Sequence, residues 1–208
     1  EGSRQVVRNI ADLLTSVVSR GRGDEQVPTV RESCLVCGTG FADSELFDQY
    51  RVCPVCRFHY SITARERIDA LADPGTFREI NRSVTSLDPL SFSSRVPYKQ
   101  RVFREQRRTG LTEAAVTGTC VIGGSPIVLI VLDFGFMGGS MGCVVGEKVA
   151  LALEHASKRK RPAVAVVTSG GARIQEGALS LMQMAKTSIA ANQLAAKGLP
   201  FISVLANP

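Results

Sequence analysis

Four cysteines carry the plainest chemistry in the sequence. Cys34 and Cys37 form one C-x2-C pair, Cys53 and Cys56 form another, and fifteen residues separate them. Each pair can turn two sulfurs to the same side of a tight bend. Two such knuckles complete a tetrahedral shell of four thiolates around Zn²⁺, with bonds of about 2.3 Å. Gly38 permits the first turn and Pro54 stiffens the second. With all four places taken by Cys, no position is left for water, so a structural centre is expected rather than a catalytic one. His59 follows three residues after Cys56 and is left outside the shell. Cys120 and Cys143 fall in strand and helix-start contexts and read as small core residues.

Two glycine turns carry the second kind of chemistry. Ser169-Gly170-Gly171-Ala172-Arg173 follows an apolar strand, and Gly138-Gly139-Ser140-Met141-Gly142 has the same place after the preceding strand. Consecutive glycines let backbone N–H groups face outward without a Cβ in the way. A helix starting there would add a partial positive charge. Such a place can bind phosphate or hold a developing oxyanion, although a glycine pair can also be no more than a tight turn. Neither turn has the G-x-x-x-x-G-K-[ST] spacing of a nucleoside triphosphatase loop. The two histidines, His59 and His155, adjoin neither turn, so chemistry here would rest on backbone donors rather than on a His base.

Basic clusters are the third feature. One comprises Lys99, Arg101, Arg104, Arg107 and Arg108; the other is the run Lys158 to Arg161. Either can meet phosphate groups, and either can be a solvated helix face. The run before Pro162 also closes a helix, where cations complement the dipole.

Periodicity supplies the elements that must hold these groups. Val6, Val7, Ile10, Leu13, Leu14, Val17 and Val18 recur at helical spacing, and a linker to Pro28 follows. Thr63 with Glu66 forms a capping box for a helix to about Ala72. Asp73-Pro74-Gly75 is a turn, and 83–97 reads as a connecting segment. A basic helix is predicted from Tyr98 to Arg108. Two β-rich runs, 114–122 and 127–134, form a hairpin about Gly123-Gly124-Ser125. A helix from about Val144 to Ser157 leads to a strand at 163–168. The Ser169–Ala172 turn is then expected to open directly into a helix reaching about Ala196, with a last strand at 200–205. Strand, glycine turn, helix, strand implies parallel pairing. The predicted organisation is an N-terminal helix and linker (1–28), a zinc ribbon (29–60) and an α/β domain (61–208).

Composition narrows the class. The 208 residues are 44% hydrophobic and 21% charged, the balance of a folded protein. The longest apolar run, Pro126 to Leu132, is far short of the roughly 20 residues of a membrane span. No signal segment opens the chain. It starts at Glu1 rather than Met, as a processed product or a fragment would. The net charge of +6 is uneven: 1–60 carries −1, 61–115 carries +3 and 116–208 carries +4. The cysteine segment is therefore not the basic one. That argues against a zinc-ribbon nucleic-acid binder, because phosphate contacts dominate such affinity.

Longer motifs point further. The ribbon is followed by F-M-G-G-S-M-G (136–142), S-G-G-A-R-I-Q-E (169–176), S-L-M-Q-M-A-K-T-S (180–188) and G-L-P-F-I-S-V-L (198–205). From about Glu32 onward the chain resembles the carboxyltransferase β subunits of the multi-subunit acetyl-CoA carboxylase of bacteria and plastids. The resemblance implies a crotonase-like fold of stacked ββα units. It implies transfer of a carboxyl group from carboxybiotin to acetyl-CoA, giving malonyl-CoA, the first committed step of fatty acid synthesis. By it, the Gly170 and Gly171 amides would hold the thioester enolate oxyanion. Gly138, Gly139 and Ser140, with Arg101 and Arg104, would hold the CoA thioester. Arg173 would order the glycine turn or touch substrate. A carboxyltransferase α subunit, in an α2β2 assembly visited by a biotin carboxyl carrier protein, would complete the enzyme in the cytoplasm or a plastid stroma. Family subunits continue beyond Pro208 and usually carry Asp where this chain has Asn207. The resemblance therefore implies a truncated, incomplete domain. A non-catalytic assembly subunit and a transferase for another acyl-CoA remain the alternatives.

Overall fold

The computed structural model describes residues 33–41 and 43–206, so the helix and linker expected over 1–28 lie outside the described residues. The chain divides into two compact units after Tyr60.

The first unit is built on two knuckles of the same design. Cys34 N–H donates to Thr39 O, and Gly38 N–H returns to Cys34 O. Cys53 N–H donates to Phe58 O, and Arg57 N–H returns to Cys53 O. Antiparallel bridges, Ser33 with Gly40 and Val52 with His59, close both loops. Between them runs α1 (Glu45–Tyr50), whose N-cap Ser44 accepts from Phe47 N–H. Cys34, Phe41, Phe47 and Cys53 form the small core. Phe41 stacks on Phe47 with ring centroids 3.7 Å apart, and Tyr60 stands edge-on to both.

The second unit is a five-stranded mixed sheet in the order β1-β2-β3-β4-β5. It opens with α2 (Ala64–Leu71), which carries the predicted Thr63/Glu66 capping box. β1 (Arg78–Ile80) was not expected; three residues carry no periodic signal, and pairing with β2 makes them a strand. α3 (Tyr98–Thr109) follows an irregular stretch. β2 (Ala115–Ile122) and β3 (Ser125–Leu132) pair antiparallel, with Ile122 opposite Ser125. The two-residue turn has φ +54 at Gly123 and +79 at Gly124, as a type I′ turn requires. Both of its amides donate to the Asp73 carboxylate, which fastens the Asp73-Pro74-Gly75 turn to the hairpin.

Pairing then becomes parallel. α4 (Cys143–Arg159) leads to β4 (Ala163–Val167), and α5 (Ala178–Ala195) leads to β5 (Phe201–Leu205). β3 is buried on both faces. Its Ile127, Leu129 and Val131 pack with Ile68, Tyr98 and Val102 of α2 and α3. Its Val128 and Ile130 pack with Ala152 and Leu153 of α4 and Leu194 of α5. Helices thus cover both sides of the sheet centre. β5 is different: all five of its residues are exposed. Among the described residues no helix is long and apolar enough to cross a membrane.

One expectation is corrected here. The Ser169–Ala172 turn does not open into a helix. A 3-10 turn at Ile174–Glu176 and Gly177 intervene, and the α-helix begins only at Ala178. The partial charge of a helix N-terminus is therefore not centred on Gly170 and Gly171.

Candidate functional site

In the first unit, the sulfurs of Cys34, Cys37, Cys53 and Cys56 lie within 4.8 Å of one another. Cys34 Sγ is 3.6 Å from Cys56 Sγ, and Cys37 Sγ is 3.6 Å from Cys53 Sγ. Four ligands at 2.3 Å in a tetrahedron would stand about 3.8 Å apart, so the group fits a tetrahedral metal ion. His59 is not part of it. Thr39 Oγ1 lies 3.2 Å from Cys37 Sγ, and its hydrogen bond is the main cause that holds this thiol down at about 6. Cys56 goes the other way: the Phe58 amide holds it down, but burial and the three other sulfurs outweigh that and push it up to about 12.

In the second unit, the glycine turns meet. Met141 N–H donates to Gly171 O and Arg173 N–H donates to Met141 O, a parallel bridge between Met141 and Ala172. Gly170 N–H donates to Gly138 O at 2.8 Å. Met137, Gly138 and Gly139 all have positive φ. Gly139 is doubly constrained, since a Cβ there would stand 2.4 Å from Thr168 O at the end of β4. The first turn therefore lies against the start of the second.

Beneath the turns is a buried charge network. The Arg173 guanidinium engages all five of its N–H donors. Nη1 meets Glu113 Oε2 (2.8 Å) and Tyr98 Oη (3.0 Å). Nη2 meets Glu113 Oε1 (2.7 Å) and Ser140 O (2.8 Å), and Nε meets Ser140 Oγ (3.0 Å). Tyr98 Oη donates to Glu176 Oε1, whose other oxygen accepts the first amide of α4, Cys143 N–H. Burial alone would push the Glu176 carboxyl up, but the Cys143 bonds, Tyr98 and Arg173 outweigh it and hold the carboxyl below its ordinary value. Lys148 donates to Thr112 Oγ1 and Ala115 O; burial lowers its pKa, opposed by the Glu113 charge. Glu113, Lys148, Arg173 and Glu176 are each at most 1% exposed, so two buried cations balance two buried anions.

This geometry sorts the predicted site residues. Gly138, Gly139, Ser140, Gly170 and Gly171 come together. Of the two roles expected for Arg173, substrate contact is corrected: its side chain is wholly enclosed and no donor is left over. Gly170 is corrected as an oxyanion donor, because its amide is already engaged by Gly138 O. Gly171 N–H is held only by the exposed Ser169 hydroxyl, at 3.1 Å. The Gly138 amide takes no part in the cross-bonds of the turns. Arg101 and Arg104 are exposed on α3, away from the buried Tyr98 and Val102 stripe. Sequence reasoning missed Glu113, Tyr98 and Glu176, which stand 60, 75 and 3 residues from Arg173; only the short spacing of Arg173 and Glu176 was local enough to find.

Residues 61–208 match the carboxyl transferase domain family. A curated relative from Opitutus terrae, the acetyl-coenzyme A carboxylase carboxyl transferase subunit beta, is 45% identical over 95% of this chain and 68% of its own length. The chain belongs to this family. The subunit beta of a Thermus thermophilus strain is 48% identical over 89% of this chain, which spans 65% of that relative. Among solved structures, a transcarboxylase 12S with methylmalonyl-coenzyme A bound is similar with a TM-score of 0.56 and 32% identity, covering 70% of this chain and 26% of that one. A Pseudomonas malonate decarboxylase hetero-tetramer with malonate gives 0.53 and 29%, covering 72% and 53%. The mixed sheet with its glycine turns is thus the crotonase-like α/β fold of carboxyltransferases.

Proposed function

We propose that this carboxyl transferase chain supplies the acyl-CoA half of an acetyl-CoA carboxylase, taking a carboxyl group from carboxybiotin to acetyl-CoA and releasing malonyl-CoA. The observation that carries this reading is the Gly171 amide. It sits where the two glycine turns are stitched together, and only a rotatable surface hydroxyl engages it. Removing a proton from the acetyl methyl makes a thioester enolate with its charge on oxygen. Gly171 N–H, with Gly138 N–H from the facing turn, would stabilise that oxygen. One such donor lowers the barrier by about 3–4 kcal/mol. Carboxybiotin, carried by a partner, supplies the carboxyl group and the base. No His is needed, in keeping with a chain that has none beside either turn.

Ser140 would be held ready by Arg173, and Gly138, Gly139 and Ser140 would line the thioester. Arg101 and Arg104 are the cations offered to the phosphates of CoA. The four cysteines would hold one structural Zn²⁺. The designation of the relatives as a subunit beta supports a multi-subunit assembly; its proposed partners are a carboxyltransferase α subunit, in an α2β2 arrangement, and a biotin carboxyl carrier protein. Reduced thiolates suit the cytoplasm or a plastid stroma.

The test is the reverse reaction. The protein, purified with the subunits that accompany it, is given malonyl-CoA and biocytin, and acetyl-CoA is measured. Biocytin-dependent acetyl-CoA is expected, and the R101E/R104E variant should raise KM for malonyl-CoA several-fold with kcat little changed. No biocytin-dependent product from the assembled subunits would overturn the reading.

A further inference from the structure

The metal cluster has a neighbour that is not one of its ligands. Tyr60 closes the first unit, and its hydroxyl accepts a hydrogen bond from Leu35 N–H at 2.8 Å. That bond orients the oxygen. Its single proton points to Cys34 Sγ, 3.4 Å away. Leu35 follows Cys34 directly, so the hydroxyl bridges the backbone and the sulfur of the same knuckle. The ring cannot swing away, because Phe41, Phe47 and Phe58 hold it edge-on with centroids 5.5, 5.6 and 5.0 Å distant.

The four sulfurs are not equally served. Cys34 has the Tyr60 hydroxyl and Val36 N–H, and Cys37 has the Thr39 hydroxyl. Cys53 and Cys56 have no side-chain hydroxyl among the described residues. Four thiolates around one divalent cation carry a net charge of −2, and a donor aimed at a sulfur spreads that charge. Partners of this kind fix ligand orientation and tune affinity.

We propose that Tyr60 is a positioning residue of the metal centre, whose hydroxyl donates to the Cys34 thiolate and slows loss of the metal. The proposal rests on the reading of the four cysteines as a zinc site. Tyr60→Phe isolates the hydroxyl, since the ring keeps its three aromatic contacts. The only other bond lost is that of Leu35 N–H, on a residue 37% exposed, where water can replace it.

The experiment uses the whole chain loaded with zinc, and separately with Co²⁺. Zinc transfer to a colorimetric chelator at fixed pH gives the release rate. The sulfur-to-cobalt charge-transfer band reports the electrons on sulfur, which a merely looser fold would not move. Tyr60→Phe is expected to release zinc about tenfold faster, the lower end of what partners of metal ligands contribute. Its charge-transfer band should move to lower energy, because a thiolate without its donor gives up charge more easily. Tyr50→Phe, on an exposed tyrosine of α1, should change neither. Unless both readouts move in Tyr60→Phe, the proposal is overturned, with release within twofold of the wild type or an unmoved band each sufficient. A wild-type chain that takes up neither metal overturns the zinc reading and this inference with it.

Discussion

Replacing Glu113 by Gln tests whether the buried charge network holds the glycine turns together. The substitution keeps the shape of the side chain and removes its charge. Arg173 is then left enclosed, with neutral hydrogen-bond partners, Ser140, Tyr98 and the new amide, and with Glu176, 3.8 Å from Nη1, as its one remaining buried anion. Lys148, also buried, loses the anion that offsets its burial. Removing one partner of a buried ion pair typically costs about 3–5 kcal/mol, because the other charge stays desolvated. For a chain of this size each kcal/mol lowers the melting temperature by about 2–4 °C, so a drop of about 6–20 °C is expected. The chain has no tryptophan, so far-UV circular dichroism in a urea series is the suitable readout. The second arm is Arg173→Met, which strips Glu113 of its hydrogen-bonded cation, leaves it only the Lys148 charge, and should cost a similar amount. The double variant has no charge of the pair left to strand. It should therefore be less destabilised than the sum of the singles, by about 2 kcal/mol or more. Strict additivity, or a Glu113→Gln variant within about 1 kcal/mol of wild type, would refute the idea that the pair acts as one unit.

Other perturbations probe neighbouring features. Gly142→Ala puts a Cβ 2.7–2.9 Å from the Glu176 carboxylate that caps α4; with φ at −110 no backbone strain competes, and a loss of about 1–3 kcal/mol is expected in the same urea series. Glu176, held below its ordinary value, contributes stability that is complete above that value and fades as pH falls through its lower folded one; Glu176→Gln should remove this part of the acid dependence, read as a flatter stability profile below about pH 4.5. Burial raises the Cys120 and Cys143 thiols to about 11, so maleimide mass mapping of the metal-stripped chain at pH 7 should label Cys37, held down at about 6, before either of them. Asp73→Ala removes the acceptor of both hairpin amides at an exposed site and should cost about 1 kcal/mol.

Much of this arrangement is legible locally. The two C-x2-C pairs specify knuckles because a short loop closes on itself in each. The Thr63/Glu66 cap and the Gly123-Gly124 turn are legible for the same reason, since partners lie within three or four residues. The meeting of the glycine turns is not. It depends on Gly170 reaching Gly138 and on Arg173 reaching Glu113, across 32 and 60 residues, and no window of sequence carries such a pairing. Arg173 in S-G-G-A-R could be read as a substrate cation or a structural one, and only its enclosure decides. β1 and the delayed start of α5 escaped for the opposite reason. Their own residues are weak signals, and neighbouring strands and turns impose the outcome.

The order of strands in the sheet has a consequence for biosynthesis. β1 to β5 lie side by side in the order in which the chain is made. No strand must be inserted between two already paired, so the sheet can grow by accretion as each segment leaves the ribosome, the antiparallel hairpin first. The Glu113 carboxylate is then made well before Arg173, with which it pairs. Until β4 has docked and its following turn has arrived, Glu113 has the nearer Lys148 as its only network cation. The two glycine turns can therefore close only after β4 and the turn that follows it have been made.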